Sequence, residues 1–365
     1  MAAGMGKNPL KVGLVGLGGV AQEHMRGYAA SDAVTIVAGA DIDEARAQDA
    51  ASRYEFTPHT DYQAMLETEE LDIVCVLTPP AFHRPVVEAA AAKGCHILCE
   101  KPMAPSLEDA IAIGKAVKAA NVKFLFGASY RHLPAMKAAK DLIISGAIGD
   151  VRLCTETVIG GNGLENIELL SPIHYPEGGP GGTGMGLVDH GVHMIDAFPW
   201  MTGSHVVDVV GQGNITGQAP VPEIVTMKLS NGVAVQLTYD EGTVSLVPPN
   251  EGIFTEGAGW NVSGFIPEGG WDPQPTTLLV YGSTGALRIY PYANALLHAT
   301  NDGLKQIPLP SLPRPNHFKT QMESFAHSIV ENTPVAADYD DGLKSLKAIL
   351  AIYQSAEERR IIEVS

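Results

Sequence analysis

Short runs of apolar residues alternate with segments of helical periodicity through the first third of the chain. The first run, at residues 11–15, leads through a cluster of glycines into apolar positions at helical spacing. Further strand-like runs lie at residues 34–40, 71–77, 95–99 and 122–128, and helix-like segments at 44–54, 84–93 and 106–119. Ser106 with Asp109 has the spacing of a capping box for the last of these helices. Alternating strands and helices predict a doubly wound parallel sheet.

The pattern changes after residue 129 to long alternating runs, which are typical of half-buried strands. A helix is predicted at residues 133–145, and alternating runs follow at 151–159, 206–211, 224–229, 233–239, 278–281 and 286–289. Asn231 and Gly232 predict a two-residue hairpin between two of these strands. The segment 246–276 has little periodicity, and we expect it to shape a pocket or a subunit edge. Amphipathic helices are predicted at 318–332 and 342–358.

The glycines after the first strand read G-x-G-x-x-A. Gly16 permits a tight reversal, Gly18 allows a pyrophosphate to approach the backbone, and Ala21 keeps the helix close to the strand. The N–H groups of the new helix then face the phosphates. We therefore predict that Gly16, Gly18, Gly19 and Val20 bind a dinucleotide.

Asp41 ends the strand at residues 34–40 and is the second signal for a dinucleotide. An acid at this place accepts hydrogen bonds from the adenosine ribose and repels a 2′-phosphate. Arg46 is the one nearby arginine that could reverse this preference. We expect NAD in preference to NADP. The alternative is that Asp41 only caps the next helix, which Asp43 could do equally well.

These patterns predict an α/β protein with two domains. Residues 1–130 are expected to form an NAD-binding Rossmann domain with a doubly wound parallel sheet. Residues 131–365 are expected to form an α/β domain for substrate binding and oligomerisation, with a large, mostly antiparallel open sheet. The last helices could pack back on the Rossmann domain. A chain of 365 residues with 45% hydrophobic composition is long enough for two such cores.

The net charge of the chain argues against two classes of binding partner. Charged residues make up only 18% of the chain, yet the formal net charge is −17, which argues against nucleic acid and anionic membranes. No apolar run has the length of a signal peptide or a membrane span, so we expect a cytoplasmic protein. Strand periodicity places Cys95 and Cys99 on one face and His96 on the other. We therefore predict buried thiols and no metal site.

Acid and imidazole side chains are combined in the segment 185–196, which follows a glycine-rich approach. Asp189 and His193 are four residues apart, so on a helix they share one face. Imidazole has an unperturbed pKa of about 6.5 and can take a proton near neutral pH. An ordinary helix ion pair is the equally weighted alternative. His190 points about 100° away from Asp189 and is not expected to be the base.

The chain resembles the Gfo/Idh/MocA oxidoreductases, named for glucose–fructose oxidoreductase and inositol dehydrogenase. The resemblance rests on GLVGLGGVA, Asp41, TPPAFH, EKP and GGTGMGLVDHGVHMID. It covers residues 11–150, 181–200 and the helices from 317, and it is weak over 246–276. It implies a Rossmann domain followed by an α/β domain with an open sheet. It also implies that Lys101, Asp189 and His193 form the catalytic set.

In the chemistry that the resemblance implies, His193 is the general base for a hydroxyl proton and Lys101 stabilises the same oxygen. Asp189 orients His193 or substrate hydroxyls. At the cofactor edge we also expect Thr78, Pro79, His83, Glu100 and Lys101. Weaker candidates for substrate contacts are Tyr130, Arg131, His174, Tyr175 and His317, and Arg131 could instead pair with an acid.

The expected activity is hydride transfer between a secondary ring hydroxyl of a sugar, glycoside or cyclic polyol and NAD. One alternative is an enzyme that cleaves glycosides through transient oxidation by NAD, and another is a dinucleotide-binding sensor without turnover. The resemblance also implies a homo-oligomer, either a dimer or a tetramer.

Overall fold

The computed structural model describes residues 9–159, 186–213, 223–240, 278–291, 294–310 and 317–364. The chain divides into two compact units. The first consists of Met1–Gly127 and Asn316–Leu343, and the second of Ala128–Pro315 and Lys344–Ser365.

Strands and helices alternate in the first unit, as the sequence predicts. Its strands are β1 (Leu10–Val15), β2 (Val34–Ala40), β3 (Thr57–His59), β4 (Ile73–Val76), β5 (His96–Cys99) and β6 (Phe124–Phe126). Its helices are α1 (Gly19–Ala29), α2 (Glu44–Tyr54), α3 (Tyr62–Thr68), α4 (His83–Ala92) and α5 (Leu107–Ala120). A short 3₁₀ turn, Pro80–Phe82, precedes α4.

These strands form a six-stranded parallel sheet in the order β3-β2-β1-β4-β5-β6. The order reverses direction between β1 and β4, and ligands of open α/β sheets bind at such a point, outside the carboxyl ends of the strands. All four residues of β4 are buried, as expected for a strand covered on both faces. The predicted doubly wound parallel sheet is confirmed.

Side-chain caps fix where several of these helices begin. Ser106 accepts from the N–H of Asp109 at 3.1 Å, so the start of α5 that the capping pattern predicts is confirmed. Asp43 caps α2 and Asp61 caps α3 in the same manner. Each cap satisfies a backbone donor that has no partner within the helix.

Helix α8 (His317–Val330) belongs to the first unit. Its Glu323 accepts a hydrogen bond from Ser31, and its Phe318 ring lies 4.1 Å from the His24 ring of α1, measured between centroids. Helix α9 (Tyr339–Glu358) begins in this unit and belongs to the second unit from Lys344 on.

The described strands of the second unit are mostly antiparallel. They are β7 (Val151–Ile159), β8 (Val206–Gln212), β9 (Glu223–Leu229), β10 (Ala234–Asp240), β11 (Leu278–Gly282), β12 (Gly285–Tyr290), β13 (Ala295–Thr300), β14 (Gly303–Gln306) and β15 (Ile362–Glu363). They form a nine-stranded sheet in the order β14-β13-β12-β11-β7-β10-β9-β8-β15, in which β10 and β7 are the parallel pair. The predicted open sheet is confirmed.

Burial alternates along β9, where Val225, Met227 and Leu229 are buried and the residues between them are exposed.

Three of the described helices accompany this sheet. In the sequence, α6 (Pro134–Ile144) precedes β7, and α7 (Val192–Thr202) comes between β7 and β8. Helix α9 packs closely on β8, since the N–H of Gly211 donates to Ser355 at 3.0 Å and a Cβ at Gly211 would stand 2.5 Å from the carbonyl oxygen of Ile352. Gly211 thus permits this close contact.

The hairpin between β9 and β10 is present, but its predicted loop length is wrong. The N–H of Leu229 donates to the Val233 oxygen at 2.8 Å, which closes a loop of three residues instead of two. Gly232 has φ +88° in this loop. In three-residue hairpin loops the last residue adopts this left-handed conformation, which favours glycine. Gly232 therefore serves a three-residue loop and not the two-residue turn that Asn-Gly predicts.

The four cysteines, Cys75, Cys95, Cys99 and Cys154, are buried free thiols, as predicted. Burial raises the pKa of Cys75 and of Cys154 to about 12. Among the described helices, none combines the length and apolar character needed to cross a membrane. The segment 246–276 lies outside the described residues, so its expected role stays a prediction.

Candidate active site

The glycine turn after β1 leaves an open cradle at the start of α1. Gly16 has φ +87°, and a Cβ there would stand 2.9 Å from the backbone of Leu77 and Thr78, so only glycine fits. A Cβ at Gly18 or Gly19 would meet no atom within 4 Å. Gly18 is also the N-cap of α1 and provides no side-chain cap. The free space and the uncapped N–H groups fit a pyrophosphate.

Asp41 follows β2 and is held by the backbone on both sides. Its carboxylate accepts from the N–H of Leu17 at 2.8 Å and from the N–H of Asp43 at 2.9 Å. Asp43, and not Asp41, caps α2. The carboxylate of Asp41 therefore links the glycine turn to the end of β2, where an adenosine ribose would lie.

Thr78 and Pro79 lie in the turn after β4, and His83 begins the helix that follows, α4. The Thr78 hydroxyl is shielded from solvent and has no hydrogen-bond partner among the described residues, a cost that a bound group could relieve. His83 is buried, and its ring nitrogens lie 2.7 Å from the carbonyl oxygen of Thr78 and 3.1 Å from that of Met103. Burial lowers the pKa of His83, against the opposing effect of these carbonyls. The ring thus holds the turn together, and its expected contact with a cofactor stays a prediction.

Lys101 follows β5, and its neighbour Glu100 anchors it to the core. The Lys101 N–H donates to the Glu100 carboxylate at 3.0 Å, and the other oxygen of that carboxylate lies 2.9 Å from Nε2 of His24. Nδ1 of His24 lies 2.6 Å from the Tyr28 hydroxyl. A Cβ at Gly127 would stand within 3.0 Å of the Lys101 nitrogen, so this glycine lets β6 end close against Lys101.

The Glu100 carboxyl is buried and charged. Burial works to raise its pKa, but the hydrogen bond and charge of His24, together with Lys101, outweigh this and hold the pKa of Glu100 below its usual value. The peptide bond between Lys101 and Pro102 is cis. Lys101 itself is half-buried, at the same edge of the sheet as the glycine turn.

In the second unit, a π-helical turn, Gly186–Gly191, leads into α7. The sequence predicts one regular helix here, so the spacing of Asp189 and His193 spans a change of helix type. The side chain of Asp189 lies outside the described residues, so its pairing with His193 stays a prediction. His193 is half-buried, and its ring stacks on Tyr130 at 4.4 Å between centroids.

A second histidine, His190, is buried beside this stack. Nε2 of His190 is 2.8 Å from one oxygen of Glu156, and the Tyr239 hydroxyl donates to the other at 2.6 Å. The His190 ring also lies 6.2 Å from the His193 ring, between centroids. Spacing on a helix did not point to this cluster, because Glu156 and Tyr239 are far from His190 in the sequence and come from the neighbouring strands β7 and β10.

Arg131 pairs with the acid Asp196. Pairing with an acid was the alternative to substrate contact that the sequence analysis gave for this residue. Its guanidinium donates to both oxygens of Asp196 on α7, at 2.8 and 2.5 Å, and both side chains are buried. Its Cζ also lies 5.8 Å from the Trp200 ring, and Lys140 Nζ lies 4.1 Å from that ring. The pair ties the 3₁₀ turn Ser129–His132, which carries Tyr130, to the helix that carries His193.

Arg131→Met is expected to destabilise the second unit by about 3–5 kcal/mol, because it removes a bidentate guanidinium from a buried carboxylate. Trp200 lies on α7 of this unit beside Arg131, so tryptophan fluorescence during urea denaturation reports its unfolding. The exposed Arg152 of β7 gives the matched control, Arg152→Met. The double variant with Asp196→Leu should recover most of the loss. A denaturation midpoint equal to that of the control would contradict this account.

The remaining predicted residues are distributed as follows. His174 and Tyr175 lie outside the described residues. His317 belongs to the first unit, where it is buried with its ring 4.2 Å from that of Phe318. In the first unit, the residues predicted at the cofactor edge follow the carboxyl ends of β1, β2, β4 and β5 and share that edge of the sheet.

Sequence reasoning did not identify two features of the cofactor edge. His24 is one of them, because its partner Glu100 is 76 residues away in the chain. The other is Ile42, whose side chain is 95% exposed next to Asp41. An isoleucine between two aspartates just after a strand was a readable signal, since apolar groups at that edge can pack against a bound ring.

Comparisons with known proteins agree with this architecture. Residues 10–128 match the Gfo/Idh/MocA oxidoreductase family, NAD-binding Rossmann fold, and residues 140–364 match the C-terminal α/β domain of that family. D-glucoside 3-dehydrogenase of Escherichia coli is 23% identical over the full length of both chains. D-xylose 1-dehydrogenase [NADP(+)] of Haloarcula marismortui is 23% identical over 98% of this chain and 94% of its own.

Among solved structures, the fold resembles that of scyllo-inositol dehydrogenase from Lactobacillus casei, solved with NAD(H) and scyllo-inositol. The TM-score is 0.75 at 21% identity, over 98% of this chain and 99% of the other. The two family matches together span nearly the whole sequence, and the expectation of an oxidoreductase is confirmed. The chain belongs to the Gfo/Idh/MocA family of oxidoreductases.

Proposed function

We propose that this protein is an NAD-dependent dehydrogenase that oxidises a secondary ring hydroxyl of a sugar, glycoside or cyclic polyol. The observation that supports it best is the position of Lys101. Lys101 follows β5, at the carboxyl ends of the strands, where the open glycine cradle and Asp41 also lie. A cation at this edge can stabilise an oxygen that becomes negative beside a bound dinucleotide.

Each residue has a defined part in the proposed reaction. When NAD is bound, its nicotinamide supplies the acceptor for the hydride that leaves the alcohol carbon. A ring nitrogen of His193 takes the hydroxyl proton as the C=O bond forms, and it returns that proton in the reverse direction. Lys101 donates a hydrogen bond to the same oxygen, and Asp189 orients His193 or the substrate. Tyr130 supports the His193 ring by stacking on it.

The dinucleotide is held, in this proposal, by residues of the first unit. Gly16, Gly18, Gly19 and Val20 cradle the pyrophosphate, and Asp41 binds the adenosine ribose. Thr78 and Pro79 border the same edge. The second unit then binds the substrate, as the sequence predicts for residues 131–365. The cytoplasmic location and the homo-oligomer also stay predictions.

The substrate class is supported by the names of the relatives. One full-length relative is a D-glucoside 3-dehydrogenase, and one structure of the same fold holds scyllo-inositol. Both names refer to molecules with several ring hydroxyls. A base and a cation that act on a single oxygen suit such a substrate, because its other hydroxyls can fix the ring in place.

A substrate screen tests the proposal. Inositols, aldoses and glycosides are incubated with NAD, and reduced cofactor is followed by its absorbance. We expect stoichiometric reduction with at least one ring polyol. Glycoside cleavage without net reduction would instead indicate transient oxidation. Tight NAD binding with no reaction on any member of the panel would indicate a sensor, and either result would overturn the proposal.

A further inference from the structure

The carboxylate of Asp41 is fully engaged in the structure. One oxygen accepts from the N–H of Asp43 at 2.9 Å and from Nη1 of Arg46 at 3.0 Å. The other accepts from the N–H of Leu17 at 2.8 Å and from the same Nη1 at 3.1 Å. A carboxylate offers about four lone-pair sites. All of them are in use, on a side chain that is only 5% exposed.

A ribose diol therefore needs one of these partners to leave. The N–H groups of Leu17 and Asp43 belong to the backbone of the glycine turn and of the α2 cap, so they are fixed by the fold. The Arg46 guanidinium ends a flexible side chain that is 46% exposed. Because this end of the ion pair reaches into solvent, the guanidinium can exchange Asp41 for water, whereas the two backbone N–H groups cannot move away. Arg46 is thus the partner that can move when a dinucleotide binds.

The guanidinium has a clear alternative partner when the adenosine carries a 2′-phosphate. Its planar donors match a phosphate in a bidentate arrangement, and such charge-assisted bonds are stronger than neutral ones. Without Arg46, a 2′-phosphate would face the carboxylates of Asp41 and Asp43 and be repelled. Nη2 of Arg46 also lies 3.4 Å from Asp43, so one side chain offsets both charges.

We propose that Arg46 determines the coenzyme range of this protein, and that it lets the site accept NADP as well as NAD. With NAD, the guanidinium withdraws and Asp41 receives the ribose hydroxyls. With NADP, the guanidinium turns from Asp41 to the 2′-phosphate. The inference rests on the proposed dinucleotide site. From Asp41 alone we expected NAD in preference to NADP, and Arg46 extends this expectation to both coenzymes. NAD remains the preferred coenzyme, because Asp41, Asp43 and Glu44 outnumber the single arginine.

Equilibrium binding to the full-length protein tests this role. NADH and NADPH are titrated by fluorescence, and 5′-AMP and 2′,5′-ADP by calorimetry, for the wild type and for Arg46→Ala. We expect the variant to lose about 10- to 100-fold in affinity for NADPH and 2′,5′-ADP, as for loss of a charged hydrogen bond. Its affinity for NADH and 5′-AMP should be unchanged or higher, because Asp41 is freed.

The same helix offers a matched control. Arg53 is 48% exposed in the last turn of α2 and pairs with Asp49 at 2.5 Å, so Arg53→Ala removes an arginine of similar exposure from the same helix, away from the site. It should leave all four affinities as in the wild type. Arg46→Gln removes the charge but keeps a polar side chain with part of the aliphatic stem, and it gives the same comparison should the alanine variant fail to fold.

Several outcomes would overturn the inference. Equal losses for NADH and NADPH would show that Arg46 only supports α2, and an unchanged NADPH affinity would show that it does not meet the phosphate. Wild-type protein that binds NADH but no NADPH would also contradict it. If neither dinucleotide binds, the proposed function fails as well. Failure of every polyol to react would overturn the proposed reaction alone, because the readout here is binding.

Discussion

His193→Ala is expected to lower kcat by about 10²- to 10⁴-fold, which is the usual contribution of a general base. The substrate hydroxyl then has no imidazole to take its proton as hydride leaves the carbon. Affinity for NADH should stay within about threefold of wild type, because every residue of the proposed dinucleotide cradle belongs to the first unit. Steady-state kinetics on the substrate found in the screen, together with NADH titration, measure both effects.

Two further variants separate loss of the base from loss of packing. The His193 ring stacks on Tyr130, so alanine also leaves a space beside that ring. His193→Gln fills most of it and should be nearly as inactive as the alanine variant. The exposed His205, which follows α7, provides His205→Ala as a control of equal chemical change. Turnover by His193→Gln at the rate of this control would remove His193 from the proposed reaction.

Lys101→Met is expected to lower kcat by about 10²- to 10³-fold, as for loss of one group that stabilises developing negative charge. Methionine keeps the unbranched, apolar part of the side chain, so the half-buried position is still filled. Lys101→Arg keeps the positive charge but places it differently and should retain part of the activity. The effect should be on kcat more than on KM, because the oxygen gains charge only as the reaction proceeds.

The control for this variant is Lys93→Met, at the exposed end of α4. Thermal denaturation should give similar midpoints for both variants, since the anchoring bond from residue 101 to Glu100 comes from the backbone N–H and survives the substitution. If Lys101→Met kept the kcat of the control while its KM rose, Lys101 would bind substrate without taking part in the chemical step.

The sequence allowed prediction of those features that depend on neighbouring residues. The turn at Gly16, the strand that ends at Asp41 and the cap at Ser106 all follow from local spacing, and all are present. The position of Lys101 just after a buried strand could be predicted for the same reason. Strand periodicity likewise indicated the antiparallel sheet of the second unit.

Features that depend on distant residues could not be predicted in this way. No spacing rule connects His190 with Glu156 and Tyr239, which meet only because β7 and β10 lie side by side. The sequence pattern also predicted a regular α-helix at Gly186–Gly191, where the structure has a π-helix. For Arg46 the sequence showed proximity to Asp41, but only the folded first turn of α2 brings the guanidinium onto both carboxylate oxygens.

The contact between His24 and Glu100 has a consequence for how this site tolerates change. Helix α1 faces the dinucleotide cradle with its first residues and, about one turn later, grips through His24 the acid next to Lys101. Helix α1 thus sets the spacing between the glycine turn and the backbone at Lys101. A substitution that shifts α1 would therefore displace the glycine turn and the anchor of Lys101 together.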